Sequence, residues 1–144
     1  MASIDTPTHP PVDPMRSCTM TLTVPTAATS VSVTSSTKFR GKIQKIELDP
    51  GAAMATSATL KGYQADTTLL TATRDHFLNY TFPASEVELV FYPLKPATTN
   101  AGVAVEYASS YPVYVPYVVD GHLTVDLAAA VAGDSVIVKI FVGP

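Results

Sequence analysis

From Cys18 to Val24 the chain alternates: Cys18, Met20, Leu22 and Val24 are apolar, and threonines stand at 19, 21 and 23. A period of two predicts a half-buried strand. Val31 and Val33 repeat the pattern beside serines. Phe39, Gly41 and Ile43 share one parity and Lys38, Arg40 and Lys42 the other, but Ile46 and Leu48 are apolar on the opposite parity. That switch near Gln44-Lys45 predicts a β-bulge or bend. Asp49-Pro50-Gly51 reads as a turn. Short strands are expected at 60–64, 69–73 and 77–82. Val87, Leu89 and Phe91 alternate with Glu86 and Glu88, and Pro93 and Pro96 end the run. Segments 103–107 and 111–119 follow, the latter confined to a sheet edge by Pro112 and Pro116.

The C-terminal third is the most regular. Asp120-Gly121 predicts a tight turn. Leu123, Val125 and Leu127 alternate inward, and 128–132 is expected to form one helical turn closed by Gly133. Val136, Val138, Ile140 and Val142 alternate against Ile137, Lys139 and Phe141. Both parities hold apolar residues, so this last strand is expected to be covered on both faces. Eight to ten short strands without a long helix predict a single all-β domain, an antiparallel β-sandwich or barrel over residues 17–144. Its expected core is Val87, Leu89, Phe91, Leu123, Val125, Leu127, Val136, Val138, Ile140 and Val142.

Residues 1–16 break this pattern. Pro7, Pro10, Pro11 and Pro14 concentrate a third of the 12 prolines there. Proline fixes φ and removes a backbone donor, so an extended, polyproline-like arm is expected. Four fixed residues lose little entropy on docking. Ile4 and Val12 add apolar contacts and Arg16 a charge at the root. The arm is expected to lie against a neighbouring chain.

Composition narrows the function. Charged residues are 15 % and hydrophobic ones 47 %, against about 25 % charged in an ordinary soluble domain. A surface so poor in charge predicts self-association, as a dimer or trimer. The net charge of −3 offers no basic face for nucleic acid. No run approaches the roughly 20 apolar residues of a membrane span. The one cysteine, Cys18, cannot form an internal disulfide and is expected to be a small core residue. The N-terminus lacks a basic start and an apolar run, so a cytosolic origin is expected.

The sequence carries little chemistry. His9, His76 and His122 show no metal-ligand spacing, and no GxSxG, GxGxxG or P-loop occurs. Neither cofactor nor metal is expected, and no enzymatic activity. Glu86 and Glu88 share a strand face at a spacing a glycosidase could use, which leaves a small hydrolase as the weakest alternative. Two other features suit contact surfaces. Lys38, Arg40 and Lys42, extended by Lys45, form a one-sided basic row. Tyr107, Tyr111, Tyr114 and Tyr117 concentrate four of the seven tyrosines, and tyrosine favours interfaces and sugar stacking.

Val119-Asp120-Gly121-His122-Leu123-Thr124-Val125-Asp126, followed by Ala129, Ala132-Gly133-Asp134-Ser135 and the run from Val136 to Val142, resembles the closing strands of small jelly-roll head proteins of tailed bacteriophages, the cement or decoration proteins. The resemblance covers roughly residues 103–144, with a Pro-rich arm and a Thr/Ala/Val-rich, cysteine-poor style. It implies a homo-oligomer, made in the bacterial host cytoplasm, that binds the major capsid protein on the capsid exterior and stiffens the head. The expected contact residues are Ile4, Pro7, Pro10, Pro11, Val12, Pro14, Arg16, Lys38, Arg40, Lys42, Tyr111, Tyr114 and Tyr117. The alternatives are a carbohydrate-binding jelly roll using the tyrosines and another virion or tail component.

Overall fold

A computed structural model describes residues 15–51, 54, 57–66, 75–83, 88–96, 101, 106–108, 111–112 and 114–144. The arm residues from Ile4 to Pro14, the predicted strand at 69–73, Val87 and Glu86 lie outside the described residues. The protein is all-β, with no helix among the described residues.

The first sheet runs in the order β1 (Arg16–Thr23), β13 (Ser135–Gly143), β3 (Phe39–Pro50). The far side of β3 is taken by two short strands, β11 (Val118–Gly121) against residues 39–42 and β6 (Leu89–Phe91) against residues 46–48. The second sheet has the order β2 (Val31–Thr34), β12 (Leu123–Ala128), β4 (Thr59–Gln64), β5 (His76–Thr81). Two ribbons complete it: β7 (Leu94–Pro96) with β10 (Tyr114–Pro116), and β8 (Glu106–Ala108) with β9 (Tyr111–Pro112). Every pairing is antiparallel.

Alternation sets which side chains are buried. Met20, Leu22 and Val24 point inward while Thr19, Thr21 and Thr23 stay exposed. Leu123, Val125, Leu127, Val136, Val138 and Ile140 are fully buried, and they join Leu60, Phe77, Leu78 and Ile46 in one core between the sheets. Thr124 is buried on the other parity, where its hydroxyl meets Thr34 Oγ1 at 2.8 Å. Leu89, Phe91 and Cys18 pack against the core half-buried rather than enclosed. Burial raises the Cys18 thiol pKa.

The parity switch in β3 is a β-bulge. Phe141 pairs with Lys45 and Val142 with Ile43, so Gln44 is left as the extra residue. Phe39 and Ile43 before it, and Ile46 and Leu48 after it, therefore all face the core. Gly41 lies at φ +142°, and a Cβ there would sit 2.1 Å from the Gly143 carbonyl oxygen.

Two expectations are corrected. Asp120-Gly121 is not a hairpin turn. β11 belongs to the first sheet and β12 to the second, so the chain crosses between sheets at Gly121-His122. That corner is clamped: the Gln64 amide bonds both Asp120 N and O at 2.9 Å, and Asp66 Oδ2 accepts His122 N–H at 2.8 Å. Residues 128–132 do not form a helical turn. Ala129 takes φ +53°, and Asp134 Oδ2 accepts Val131 N–H at 2.9 Å, closing a tight turn instead. Among the described residues of the single chain, the outer face of the last strand is only partly covered. Ile137 is 40 % exposed, and Phe141 is flanked by the Lys45 and Lys139 ammonium groups at 4.5 and 5.0 Å. Cations over its ring give that apolar side chain a partner without a second protein layer.

Candidate functional site

β3 has twelve residues, and among the described residues its far side is paired by four from β11 and three from β6. Prolines explain the shortness. Pro93, Pro96, Pro112 and Pro116 interrupt the flanking segments, and proline cannot donate to a ladder. The chain instead builds the β7–β10 ribbon beside this edge, with Pro116 opposite Leu94. Five of the eight large apolar side chains left exposed among the described residues lie on these strands and their joints: Val90, Tyr92, Leu94, Tyr114 and Val118. Tyr92 and Val118 are 69 % and 68 % exposed. Clustered exposed apolar groups mark a contact surface.

A cleft of about 270 Å³ opens at this edge, lined among others by His76, Asn79, Phe91, Tyr92, Leu94 and Tyr117. Its walls are held from behind. Tyr80 packs on Phe91 and Phe82 with ring centres 5.2 and 5.1 Å apart, and Tyr63 meets His76 edge-on at 5.7 Å. The Tyr117 carbonyl accepts Ile43 N–H at 2.8 Å, which ties the cleft to β3. Burial raises the Tyr117 hydroxyl pKa, and Asp75 adds to the rise while Lys95 opposes it. Lys95 pairs with Asp75 at 3.2 Å and stands 5.7 Å from the Tyr117 ring. The cleft therefore offers aromatic faces, an amide and a rim ion pair. Such a lining suits flat apolar groups carrying a few polar atoms.

The structure brings two of the predicted features together. β11 pairs with β3 so that Lys42 stands opposite Val118 and Arg40 opposite Asp120. The basic row thus runs beside the edge that carries Tyr117 and Tyr114. Tyr114 is 55 % exposed on β10, and Tyr111 lies on β9. Lys38, Arg40 and Lys42 are exposed. Arg16 begins β1 and is engaged within its own domain. Its guanidinium lies 4.8 Å from the Phe39 ring centre and donates to the Lys38 carbonyl. Glu88 is exposed beside Glu47 and Asp49, and Glu47 is paired with Lys45 at 3.1 Å. No group of three His, Cys, Asp or Glu side chains is placed to hold a metal among the described residues.

Sequence reasoning missed His76, Tyr92, Leu94, Lys95 and Val118. The available signal was the segment Tyr92-Pro93-Leu94-Lys95-Pro96, in which two prolines bracket Leu94 and Lys95 beside Tyr92 and limit the pairing of any strand there. Neither a family model, a curated protein nor a solved structure matches the chain.

Proposed function

We propose that this chain is a virion structural protein, a capsid cement or decoration protein that binds the outside of a major capsid protein shell and stabilises the head. One observation carries the reading: the nesting of the strand pairs. With β7 to β11 set aside as an excursion, the eight remaining strands pair first with last, β1–β13, then β2–β12, β3–β6 and β4–β5. The further pairs β13–β3 and β12–β4 then close two four-stranded sheets. A long hairpin rolled up on itself gives this order, and it supports a jelly-roll sandwich, an architecture common in viral capsid proteins and lectins. The step from that architecture to a role is an analogy between folds.

The exposed apolar edge and the low charge support a protein that works by surface burial rather than by catalysis. The same features support homo-oligomerisation as a dimer or trimer on the capsid exterior, after synthesis in the bacterial host cytoplasm. The test is co-sedimentation of the purified full-length chain with capsid shells assembled from the major capsid protein of the same genome. Saturable binding in a fixed ratio to shell subunits, with a raised melting temperature of the shell, is the expected result. Absence of binding to mature and immature shells would overturn the proposal.

The cleft favours a second reading, a carbohydrate-binding jelly roll. Tyr92, Tyr117, Asn79 and His76 offer stacking faces beside polar groups. Glycan-array binding that is lost in Tyr92→Ala would support it over the shell reading.

A further inference from the structure

We propose that the aromatic cleft at the β6–β7 edge receives the proline-rich arm, residues 4–14, of a second copy of this chain. The contact is between copies, so it stands or falls independently of the shell reading. Its first support is chemical fit. Proline-rich segments dock into aromatic-lined grooves, because the proline ring stacks on an aromatic face and the pre-set backbone loses little entropy. The cleft presents Tyr92, Tyr117 and Phe91 beside Leu94. The arm offers Pro7, Pro10, Pro11 and Pro14, with Ile4 and Val12 between and before them.

The second support is where the arm begins and how far it reaches. Arg16 starts β1 and pairs with Val142, which pairs in turn with Ile43, whose N–H is bonded to the Tyr117 carbonyl. The arm therefore leaves from the same row of the sheet as the cleft, but from the opposite edge. Three strand spacings separate the two, about 14 Å. At about 3.1 Å per residue, the fourteen residues before Met15 span about 43 Å in polyproline geometry. Pro14 biases Asp13 toward an extended backbone, and an extended continuation of β1 would leave along the strand line, past the end of its own sheet. The chain's own cleft lies sideways across that sheet, so an arm that keeps the line of β1 would be offered to a second copy.

Charge is the third support. Residues 1–15 contain Asp5 and Asp13 and no lysine or arginine. The receiving edge carries exposed Lys42 opposite Val118, with Arg40 on the same strand face. An acidic arm laid along that edge meets the basic row that the acidic chain otherwise leaves at its surface.

The experiment uses full-length chains carrying Cys18→Ser, which removes the native thiol. One carries Pro11→Cys and the other Tyr92→Cys, a position exposed enough to leave folding intact; thermal melts of each verify this. The two are mixed in a glutathione redox buffer, and mixed disulfide is measured on a non-reducing gel. The expected yield is about tenfold above that of Pro11→Cys mixed with Ile137→Cys, because docking raises the local thiol concentration. A yield no higher than this control overturns the proposal. So does a chain carrying both Pro11→Cys and Tyr92→Cys that closes only an intrachain disulfide, since the arm would then fill its own cleft.

Discussion

Deleting Lys42 should cost the domain much of its stability, whereas deleting Gln44 should not. Gln44 is the residue left over when β13 pairs with Lys45 on one side of the bulge and Ile43 on the other. Removing it makes those two pairs consecutive and puts Phe39, Gly41, Ile43, Ile46 and Leu48 on one parity, so a regular strand buries the same side chains. Removing Lys42 instead keeps the bulge but shifts residues 39–41 by one, and a one-residue slip exchanges the two faces of a strand. Phe39, now 3 % exposed, would turn to solvent while Arg40 turned inward. Exposing that side chain costs about 1.5–3 kcal/mol, and burying an unpaired cation costs several kcal/mol more. The chain escapes the second cost only by unpairing residues 39–41 from β11, which exposes Phe39 all the same. The minimum, about 1.5 kcal/mol, is a sizeable part of a typical total of about 5–15. At roughly 3 °C per kcal/mol for a chain of this size, the melting temperature should fall by about 5 °C or more. Urea denaturation followed by circular dichroism measures both deletions. The Gln44 deletion should stay within about 1 kcal/mol of the parent. Equal losses from the two deletions would refute the parity count as what sets the burial of β3. A Lys42 deletion as stable as the parent would refute it as well.

Val138→Asp should abolish the cooperative melt, because Val138 is fully buried and an unpaired carboxylate there costs several kcal/mol; an unchanged melt would contradict the β13 register. Asp66 is held below the usual carboxylate range, chiefly by the His122 backbone N–H, with further lowering from the His122 side chain and Lys38. A depressed folded pKa stabilises above the unfolded value of about 3.9 and loses that contribution as pH falls through the folded value. Asp66→Asn should therefore narrow its stability gap from the parent as pH is lowered below about 4, and a gap independent of pH would be the contrary result. The Cys18 thiol, raised by burial, should react with iodoacetamide more slowly than a free cysteine peptide at pH 8 and match it in urea; equal rates without urea would place it at the surface.

The strands were legible because each segment carries its own period. β1, β12 and β13 alternate without interruption, and even the bulge in β3 is written as a change of parity. What escaped was relational. Asp120-Gly121 announces a change of direction, but the dipeptide is the same whether the next strand pairs with the last or crosses to another sheet. The crossing is decided 56 residues earlier in the chain, by Gln64 and Asp66 reaching across to Asp120 and His122. Ala128 to Ala132 has helix-forming composition, yet Asp134 captures the Val131 N–H and fixes a turn. The two lysines beside the Phe141 ring likewise do not register in a pattern of apolar positions. The cleft was the least legible part. Its walls come from residues 76–79 of the second sheet, 91–94 and Tyr117, segments that only the packing of the two sheets, with β6 and β11 paired to β3, brings side by side.

The position of that cleft has a consequence for how the protein can hold on to anything. An exposed strand edge is an open template for further strands, and here the short flanking strands carry prolines and a row of exposed apolar side chains. Its binding strength must then come from area. Burying the exposed parts of five side chains there yields on the order of 5 kcal/mol, which alone corresponds to a sub-millimolar contact. One copy attached by this edge would fall off readily. Several copies linked to one another and seated on a repeating surface would not, because linked sites multiply affinity by about 10²–10⁴ without any new contact. If this edge receives a neighbouring copy's arm, as proposed, each such contact would be weak alone, and an assembly of copies would close many of them at once.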